Sequence, residues 1–326
     1  WNFPFWQVFR FAAPTLMAGN TAVLKHAPNV PGCALAIHEV FEKAGFPEGV
    51  FQTLLLETDH AKNIIKHPLV RAVTLTGSVR AGKAVAKQAG AALKKSVLEL
   101  GGSDPYVILA DADLEHAVES CVTSRLINSG QSCIAAKRFI VIDELRDRFE
   151  RAVVDRMKAV RMGDPMSADT EIGPMAREDL RDQLHQQVTA SIDKGATLRL
   201  GGTIPTQPGW YYPPTVLTHV RKRMPAYSEE LFGPVAVIIP VKTERQAVKI
   251  ANHSDYGLGA AVFTRDLAKG QRLAEQELEA GACFVNGFVK SDPRLPFGGI
   301  KDSGYGRELG TFGILEFVNI KTVWVK

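Results

Sequence analysis

A short apolar run meets a turn of small residues in the stretch Arg71-Ala72-Val73-Thr74-Leu75-Thr76-Gly77-Ser78-Val79-Arg80-Ala81-Gly82. Residues 71–75 favour a strand because they are apolar and β-branched, and residues 81–92 favour a helix because they are strong helix formers. The free N–H groups and the dipole at a helix N-terminus can hold an anion such as a phosphate. The turn lacks the GxGxxG spacing, so an ordinary tight turn explains it equally well by itself.

The same alternation of strand and helix runs through the first hundred residues. Strands are predicted over 20–25, 51–56 and 96–100, and a helix capped by Asn29 is predicted to end at Gly45. This rhythm is typical of βαβ units that extend one parallel sheet. After Gly101-Gly102 the pattern begins again, with strands over 106–109 and 138–142 and helices from 113 and from 144. The sequence therefore predicts an α/β fold with two α/β domains.

Composition and charge exclude several classes of protein. The 326 residues are 45% hydrophobic and 23% charged with a net charge of +4, which is typical of a globular chain with dispersed surface charge. No apolar run approaches the roughly 18 residues of a membrane span, and no nucleic-acid-binding module is recognisable. The four cysteines lack the spacing of a metal site or a disulfide framework. We therefore expect a cytoplasmic protein without metal, membrane or nucleic-acid partners.

Two reactive side chains stand out. Cys133 follows the small polar stretch Asn128-Ser129-Gly130-Gln131-Ser132, which suits an accessible nucleophilic thiolate, although a free cysteine is more often a small buried hydrophobe. Glu99 ends the apolar run Val97-Leu98-Glu99-Leu100, where a carboxylate is costly to bury unless it is paired or protonated. The alternative for Glu99 is a side chain that faces outward from the strand.

Taken together, the chain's motifs resemble, in order, those of the aldehyde dehydrogenase superfamily. The matching stretches are Trp1-Asn2-Phe3-Pro4, Thr76-Gly77-Ser78, Leu98-Glu99-Leu100-Gly101-Gly102, Gly130-Gln131-Ser132-Cys133, Glu230-Leu231-Phe232-Gly233-Pro234 and Pro296-Phe297-Gly298-Gly299. The resemblance implies a Rossmann-type cofactor domain over 1–102, an α/β catalytic domain over 103–313 and an oligomerisation segment over 314–326. Because the chain starts at Trp1 without a methionine, we expect an N-terminal truncation that leaves the cofactor domain incomplete. The full-length protein is expected to be a homodimer or homotetramer.

The resemblance also implies catalytic roles. Cys133 attacks the aldehyde carbonyl, and the Asn2 side-chain amide and the Cys133 backbone N–H hold the resulting oxyanion. Glu99 deprotonates the water that hydrolyses the thioester, which favours hydrolysis over acyl transfer to coenzyme A.

NAD or NADP is the cofactor that the resemblance implies. The matching positions lie at the adenosine ribose, the phosphate, the nicotinamide ribose and the nicotinamide ring, and they are Lys25, Gly77, Ser78, Gly82, Glu230 and Phe232. Pro28 stands where NAD-preferring relatives often have a glutamate. Because a carboxylate there would repel a 2′-phosphate, we expect NADP to be at least tolerated.

The substrate is expected to be succinate semialdehyde. Arg10 falls where succinate-semialdehyde dehydrogenases resemble one another in carrying an arginine for the substrate carboxylate, and a guanidinium can bind a carboxylate with two parallel hydrogen bonds. Ile127 replaces a second arginine that some of them use. The stretches 24–30, 76–82 and 135–139 look most like a bacterial branch of these enzymes.

Three alternatives stay open. One is an aldehyde dehydrogenase for another small aldehyde, and another is a non-enzymatic binding protein of the same fold. The third is a thiol hydrolase that uses Cys133 without a nucleotide, which would need a histidine base.

Overall fold

Helices and strands alternate through residues 1–102 of the computed structural model, which describes residues 1–326. The elements are α1 (Pro4–Met17), β1 (Ala22–Lys25), α2 (Pro31–Lys43), β2 (Phe51–Leu54), α3 (Ala61–Lys66), β3 (Ala72–Thr76), α4 (Val79–Ala91) and β4 (Lys95–Glu99). The predicted strands agree with these bounds within about two residues at each end. Asn29 does not cap α2, because the residue before the helix is Val30 and no side chain caps it.

The strands of this part form two separate parallel pairs, whereas the sequence predicts one growing sheet. β1 pairs with β2, and β3 pairs with β4. β2 and β3 are not hydrogen-bonded neighbours. Hydrophobic patterning predicts that a strand exists but not which strand lies beside it, so the sequence offered no sign of the break.

Helix α1 is fixed by a small apolar core of its own. Val8 and Ala12 of α1 pack with Ile37 and Phe41 of α2 and with Phe51 of β2. The Phe41 and Phe51 rings stack with centroids 4.6 Å apart. Because these contacts hold one face of α1 against α2, the orientation of the polar side chains elsewhere on α1 is set as well.

The second part of the chain builds a larger sheet. Its strands and helices are β5 (Asp104–Ile108), α5 (Leu114–Leu126), β6 (Ala136–Ile142), α6 (Arg146–Lys158), α7 (Glu178–Asp193), β7 (Thr197–Leu200), β8 (Thr215–Thr218), α8 (Pro225–Ser228), β9 (Val235–Val241), α9 (Glu244–Asn252), β10 (Tyr256–Gly257), β11 (Gly259–Phe263), α10 (Leu267–Arg272), β12 (Ala282–Val285), β13 (Ile300–Lys301), β14 (Gly304–Tyr305) and α11 (Gly310–Leu315). No helix in the structure has the length and apolar character that crossing a lipid bilayer requires.

Seven strands form the central sheet, in the order β12-β11-β5-β6-β9-β8-β7. All neighbours are parallel except β7, which runs antiparallel to β8. One face packs against α5 and α6, and the opposite face packs against α7 and α9. Covering both faces with helices explains why β5, β6 and β9 are almost wholly buried and apolar.

A late strand returns to the first part of the chain. β14 pairs antiparallel with β4, and Gly304 lies opposite Glu99. Gly304 has φ +109°, and a Cβ there would lie 2.0 Å from the Leu98 carbonyl oxygen, so only glycine fits this close approach. The pairing brings the loops on either side of β14 over the carboxyl end of β4, where Glu99 lies.

Two glycines in α4 test the packing of this helix. Gly82 is buried, and a Cβ there would lie 2.5 Å from a Leu100 methyl carbon, whereas Gly90 has no atom within 4 Å of such a Cβ. We expect Gly82→Ala to destabilise the fold by about 1–3 kcal/mol through overpacking. Gly90→Ala should stabilise it by about 0.5–1 kcal/mol. Thermal unfolding followed by circular dichroism measures both changes. Melting temperatures that move in the same direction would contradict the conclusion that Gly82 is tightly packed and Gly90 is not.

Candidate active site

Two cavities meet at Cys133. The larger has a volume of about 580 Å³ and is lined by residues of both parts of the chain, among them Asn2, Thr76, Gly77, Ser78, Glu99, Gly101, Glu230 and Phe232. The smaller has a volume of about 180 Å³, and its lining includes Trp6, Arg10, Ile127, Phe288, Lys290 and Phe297. Cys133 lines both cavities. A thiol between the two cavities can contact a ligand that is bound in either of them.

The loop that carries Cys133 is held by backbone contacts. Asn128 and Ser129 adopt left-handed φ angles of 53° and 54° in the turn after α5. Gly130 has φ 75°, and a Cβ there would lie 2.3 Å from the backbone carbon of Gly233, so glycine is required. Lys137 donates a hydrogen bond from Nζ to the Cys133 carbonyl oxygen at 2.8 Å. The position of the sulfur therefore depends on backbone packing.

Burial sets the protonation state of Cys133. The residue is partly buried, and burial raises the pKa of its thiol to about 11, against the opposing charges of Arg10 and Lys137. The polar neighbours in the sequence led us to expect an accessible sulfur that ionises readily. In the structure Cys133 stays partly accessible where the two cavities meet, and its burial works against ionisation.

The Asn2 side chain has a fixed orientation at the start of α1. Its Nδ2 donates to the Gln131 carbonyl oxygen at 2.7 Å. Its Oδ1 accepts hydrogen bonds from Gln7 Nε2 at 2.5 Å and from the Phe3 backbone N–H at 3.1 Å. An amide group carries two N–H donors, so one remains for a ligand in the larger cavity.

Glu99 is a buried carboxyl group in the wall of the larger cavity. It is 2% exposed, and neither carboxyl oxygen has a hydrogen-bond partner. Burial and then the charge of Glu308 raise its pKa well above the usual value, while Arg10 and Arg307 act in the opposite direction. A Cβ on Gly298 would lie 2.8 Å from Glu99 Oε1, so glycine leaves room for this carboxyl. Glu99 can exchange a proton with a group in the cavity.

A second carboxylate, Glu230, is partly buried in the wall of the larger cavity. The Gly102 N–H donates to Glu230 Oε1 at 3.0 Å, and Lys137 Nζ lies 3.8 Å from the same atom. Burial raises the pKa of Glu230 and Lys137 lowers it. A Cβ on Gly101 would lie 2.3 Å from Glu230 Oε2, so a side chain at 101 would displace this carboxylate.

The sequence that builds this site matches the model of a protein family. The model of the aldehyde dehydrogenase family matches residues 1–323. The chain belongs to the aldehyde dehydrogenase family. It is 53% identical to the "Probable succinate-semialdehyde dehydrogenase [NADP(+)]" of Synechocystis, over 100% of this chain and 71% of the relative. It is 52% identical to the "Succinate-semialdehyde dehydrogenase [NADP(+)]" of Mycobacterium leprae, again over 100% of this chain and 71% of the relative.

Solved structures of aldehyde dehydrogenases share the fold. The structure of succinic semialdehyde dehydrogenase from Streptococcus pyogenes in complex with NADP⁺ superimposes with a TM-score of 0.97 at 39% identity, over 100% of this chain and 71% of that one. The Gox0499 structure superimposes with a TM-score of 0.98 at 47% identity, with the same coverage. The α/β fold of an aldehyde dehydrogenase, which the motifs predicted, is thereby confirmed.

Arg10 reaches the smaller cavity in this aldehyde dehydrogenase, but it already has a partner. Its Nε lies 2.6 Å from Glu308 Oε2, with both side chains at most 5% exposed. The guanidinium also lies over the Phe297 ring, 4.3 Å from its centroid. Its charge is therefore offset by Glu308 before any substrate binds.

The other residues that were predicted to bind the cofactor do not all lie at the larger cavity. Ser78 caps α4 by accepting the Ala81 N–H at 3.3 Å and lines the larger cavity with Gly77. Gly82 does not line that cavity, and its contact is with Leu100. Lys25 does not line it either, and its Nζ donates to the His26 carbonyl oxygen at 2.6 Å.

A third cavity, of about 620 Å³, lies at the carboxyl ends of β1 and β2. Pro28 lines it together with His26, Glu57 and Asp59. This edge of the first sheet is where doubly wound folds bind ligands. Pro28, the position that the sequence analysis links to the choice between NAD and NADP, therefore lines a cavity.

Sequence reasoning missed Glu308 and Lys137. Glu308 lies beside Glu99 only because β14 pairs with β4, and it belongs to a mixed charged and glycine-rich run that has no periodic pattern. Lys137 lies in the fully buried strand β6, where a lysine is rare unless it is paired. The sequence did contain a signal for Lys137, namely a lysine inside a strand that is predicted to be buried.

The raised pKa of Cys133 predicts how its reactivity depends on pH. We expect the rate of carboxamidomethylation of Cys133 by iodoacetamide to rise about tenfold per pH unit between roughly pH 7 and 10, because the thiolate is the reactive form. Peptide mapping by mass spectrometry follows this cysteine separately. Cys121, which is 0% exposed, serves as the internal control and should stay unmodified in the folded protein. A rate for Cys133 that levels off between about pH 9 and 10 would show that its thiol ionises at the ordinary pKa of a cysteine.

Proposed function

We propose that this protein oxidises succinate semialdehyde to succinate with reduction of NADP or NAD. The observation that carries the proposal is the position of Cys133 between two cavities, with Glu99 buried in the wall of the larger one. The names of the relatives in Synechocystis and Mycobacterium leprae support the substrate and the use of NADP. Arg10 in the smaller cavity supports a substrate that carries a carboxylate.

The residues of the larger cavity fit a dinucleotide. The turn Thr76-Gly77-Ser78 presents the N-terminus of the 13-residue helix α4, where N–H groups favour a phosphate. Gly101 leaves the space that the Glu230 carboxylate occupies, and Glu230 can accept hydrogen bonds from ribose hydroxyls. Phe232 offers an apolar contact for the nicotinamide. When bound, the oxidised nicotinamide supplies the acceptor for a hydride.

The first chemical step uses Cys133 and Asn2. The Cys133 thiolate forms a bond from sulfur to the carbonyl carbon, and the carbonyl oxygen becomes an oxyanion. The free N–H of the Asn2 amide and the Cys133 backbone N–H hold this oxyanion. Loss of hydride from the same carbon leaves an acyl group joined to Cys133 as a thioester.

The second step uses Glu99. As a carboxylate it takes a proton from a water molecule whose oxygen attacks the thioester carbon. The carbon–sulfur bond breaks, the carboxylic acid leaves, and Cys133 returns to the thiolate. Because the pKa of Glu99 is raised, only the ionised fraction of the protein can carry out this step at neutral pH.

Cofactor choice is assigned to the third cavity. Pro28 supplies no carboxylate to repel a 2′-phosphate, which supports the use of NADP. Glu57 and Asp59 line the same cavity and can accept hydrogen bonds from ribose hydroxyls, which supports the use of NAD. Lys25, half-exposed beside this cavity, is the proposed contact for the adenosine ribose.

The parts of the chain have separate proposed roles. We assign cofactor binding to residues 1–102, catalysis to residues 103–313 and oligomerisation to residues 314–326. The last segment exposes Ile320, Val323, Trp324 and Val325 by 73–91%, and such an apolar surface suits a homodimer or homotetramer. All four cysteines are free, which supports a reducing compartment such as the cytoplasm.

Steady-state kinetics tests the substrate. We expect kcat/KM for succinate semialdehyde to exceed kcat/KM for butanal by about tenfold or more, because a carboxylate that reaches its cationic partner adds binding energy. Absorbance of NADPH or NADH gives both values, with NADP and NAD compared in parallel. Equal values for the two aldehydes would refute the substrate assignment, and failure to reduce NADP would refute that part of the cofactor assignment.

Glu99→Gln separates the two chemical steps. The substitution keeps the shape of the side chain but removes the base, so the first turnover should still release NADPH while the steady-state rate falls about 10²- to 10⁴-fold. Stopped-flow absorbance measures the burst and the steady state in one experiment. The steady-state rate of the unmodified chain should rise with pH through the raised pKa of Glu99. If the variant lost the burst as well, Glu99 would be needed for attack by Cys133.

A further inference from the structure

The smaller cavity has an uneven distribution of charge. Its lining is largely apolar, and the ionisable groups with a full positive charge in it are Arg10 and Lys290. Cys133 lines the same cavity, so an aldehyde that reaches the sulfur extends its remaining chain along these walls. A carboxylate at the far end of that chain would meet one or both cations.

The charge of Arg10 is largely neutralised within the protein. Its ion pair with Glu308 is buried, and two opposite charges at 2.6 Å leave little net field at longer range. Arg10 still has N–H donors for a directed hydrogen bond to a substrate. It cannot by itself give the cavity the net positive potential that attracts an anion.

Lys290 has no such partner. It is exposed, and no carboxylate lies within 4.0 Å of its ammonium nitrogen. The acidic side chain that feels its charge is Asp292, and Asp292 already forms an ion pair with Arg294 at 2.6 Å. The ammonium of Lys290 therefore keeps its charge available to a ligand.

The backbone next to Lys290 is anchored, although its side chain is free. Val289 is 2% exposed and packs in the core beside the central sheet. Its N–H donates to the Tyr106 hydroxyl oxygen at 2.7 Å, and that hydroxyl also contacts Ser124 Oγ at 3.0 Å. The start of the Lys290 side chain is thus held at the cavity while its ammonium can move.

We propose that Lys290 binds the distal carboxylate of the substrate and so determines specificity for aldehydes that carry a negative charge. The inference rests on the proposed function, since it concerns the same substrate. Lys290 acts as an uncompensated point charge on a flexible stem, and Arg10 acts as a directed donor whose charge is balanced. The contact is made equally in the ground state and the transition state, so it affects KM and leaves kcat for the carboxylate substrate little changed.

Lys290→Met tests the proposal, because methionine keeps an unbranched stem and removes the charge. We expect the ratio of kcat/KM for succinate semialdehyde to kcat/KM for butanal to fall about two- to fivefold, as for an exposed ion pair. The loss should lie in KM, and it should shrink as the salt concentration rises. Lys290→Arg should restore most of the ratio, and Lys290→Glu should lower it further.

Lys222→Met is the matched control, since Lys222 is an exposed lysine that lines neither cavity at Cys133. It should leave the ratio of the two aldehydes as it is in the unmodified chain. An unchanged ratio in Lys290→Met, with succinate semialdehyde still preferred, would overturn the role of Lys290 alone. If the unmodified chain showed no preference for succinate semialdehyde, the proposed function would fail and the inference would fail with it.

Discussion

The active site depends on two carboxyl groups, Glu99 and Glu308, that are buried together with one guanidinium, that of Arg10. Each of the three side chains is at most 5% exposed. Burial disfavours two ionised carboxylates side by side, and the charges of Arg10 and, more weakly, Arg307 do not offset this, so one carboxyl is driven toward its neutral form. Arg10 contacts Glu308 directly, which makes Glu99 the group with the strongly raised pKa. The neutral form of Glu99 stabilises the folded state at low pH, and this contribution is lost as the pH rises through its raised pKa.

The three groups come from distant parts of the chain, and main-chain pairing brings them together. Glu99 ends β4, Arg10 lies on α1, and Glu308 follows β14. The antiparallel pairing of Gly304 with Glu99 delivers the segment that contains Glu308 to the end of β4. Because a side chain at 304 would collide with the Leu98 carbonyl, the site depends on a glycine that lines neither cavity at Cys133.

The sequence was informative where a feature is local and uninformative where it depends on distant contacts. The strands, and the turn at Gly77 and Ser78, follow from residue types that lie next to one another. The break between β2 and β3 and the partner of Arg10 depend on segments far apart in the chain, which periodicity cannot match. The burial that raises the pKa of Cys133 also depends on distant segments, so its polar sequence neighbours do not predict it.

Backbone contact also couples Cys133 to the larger cavity. Gly130, which precedes Cys133, touches the backbone of Gly233, and Gly233 lies in the same loop as Glu230 and Phe232. A shift of either loop therefore moves the other, because Gly130 and Gly233 meet through backbone atoms and no flexible side chain lies between them. The hydrogen bond from Gly102 to Glu230 ties this loop in turn to the end of β4. The distance between Cys133 and the loop that carries Glu230 and Phe232 is thus set by main-chain packing, and side-chain charges are left to control protonation.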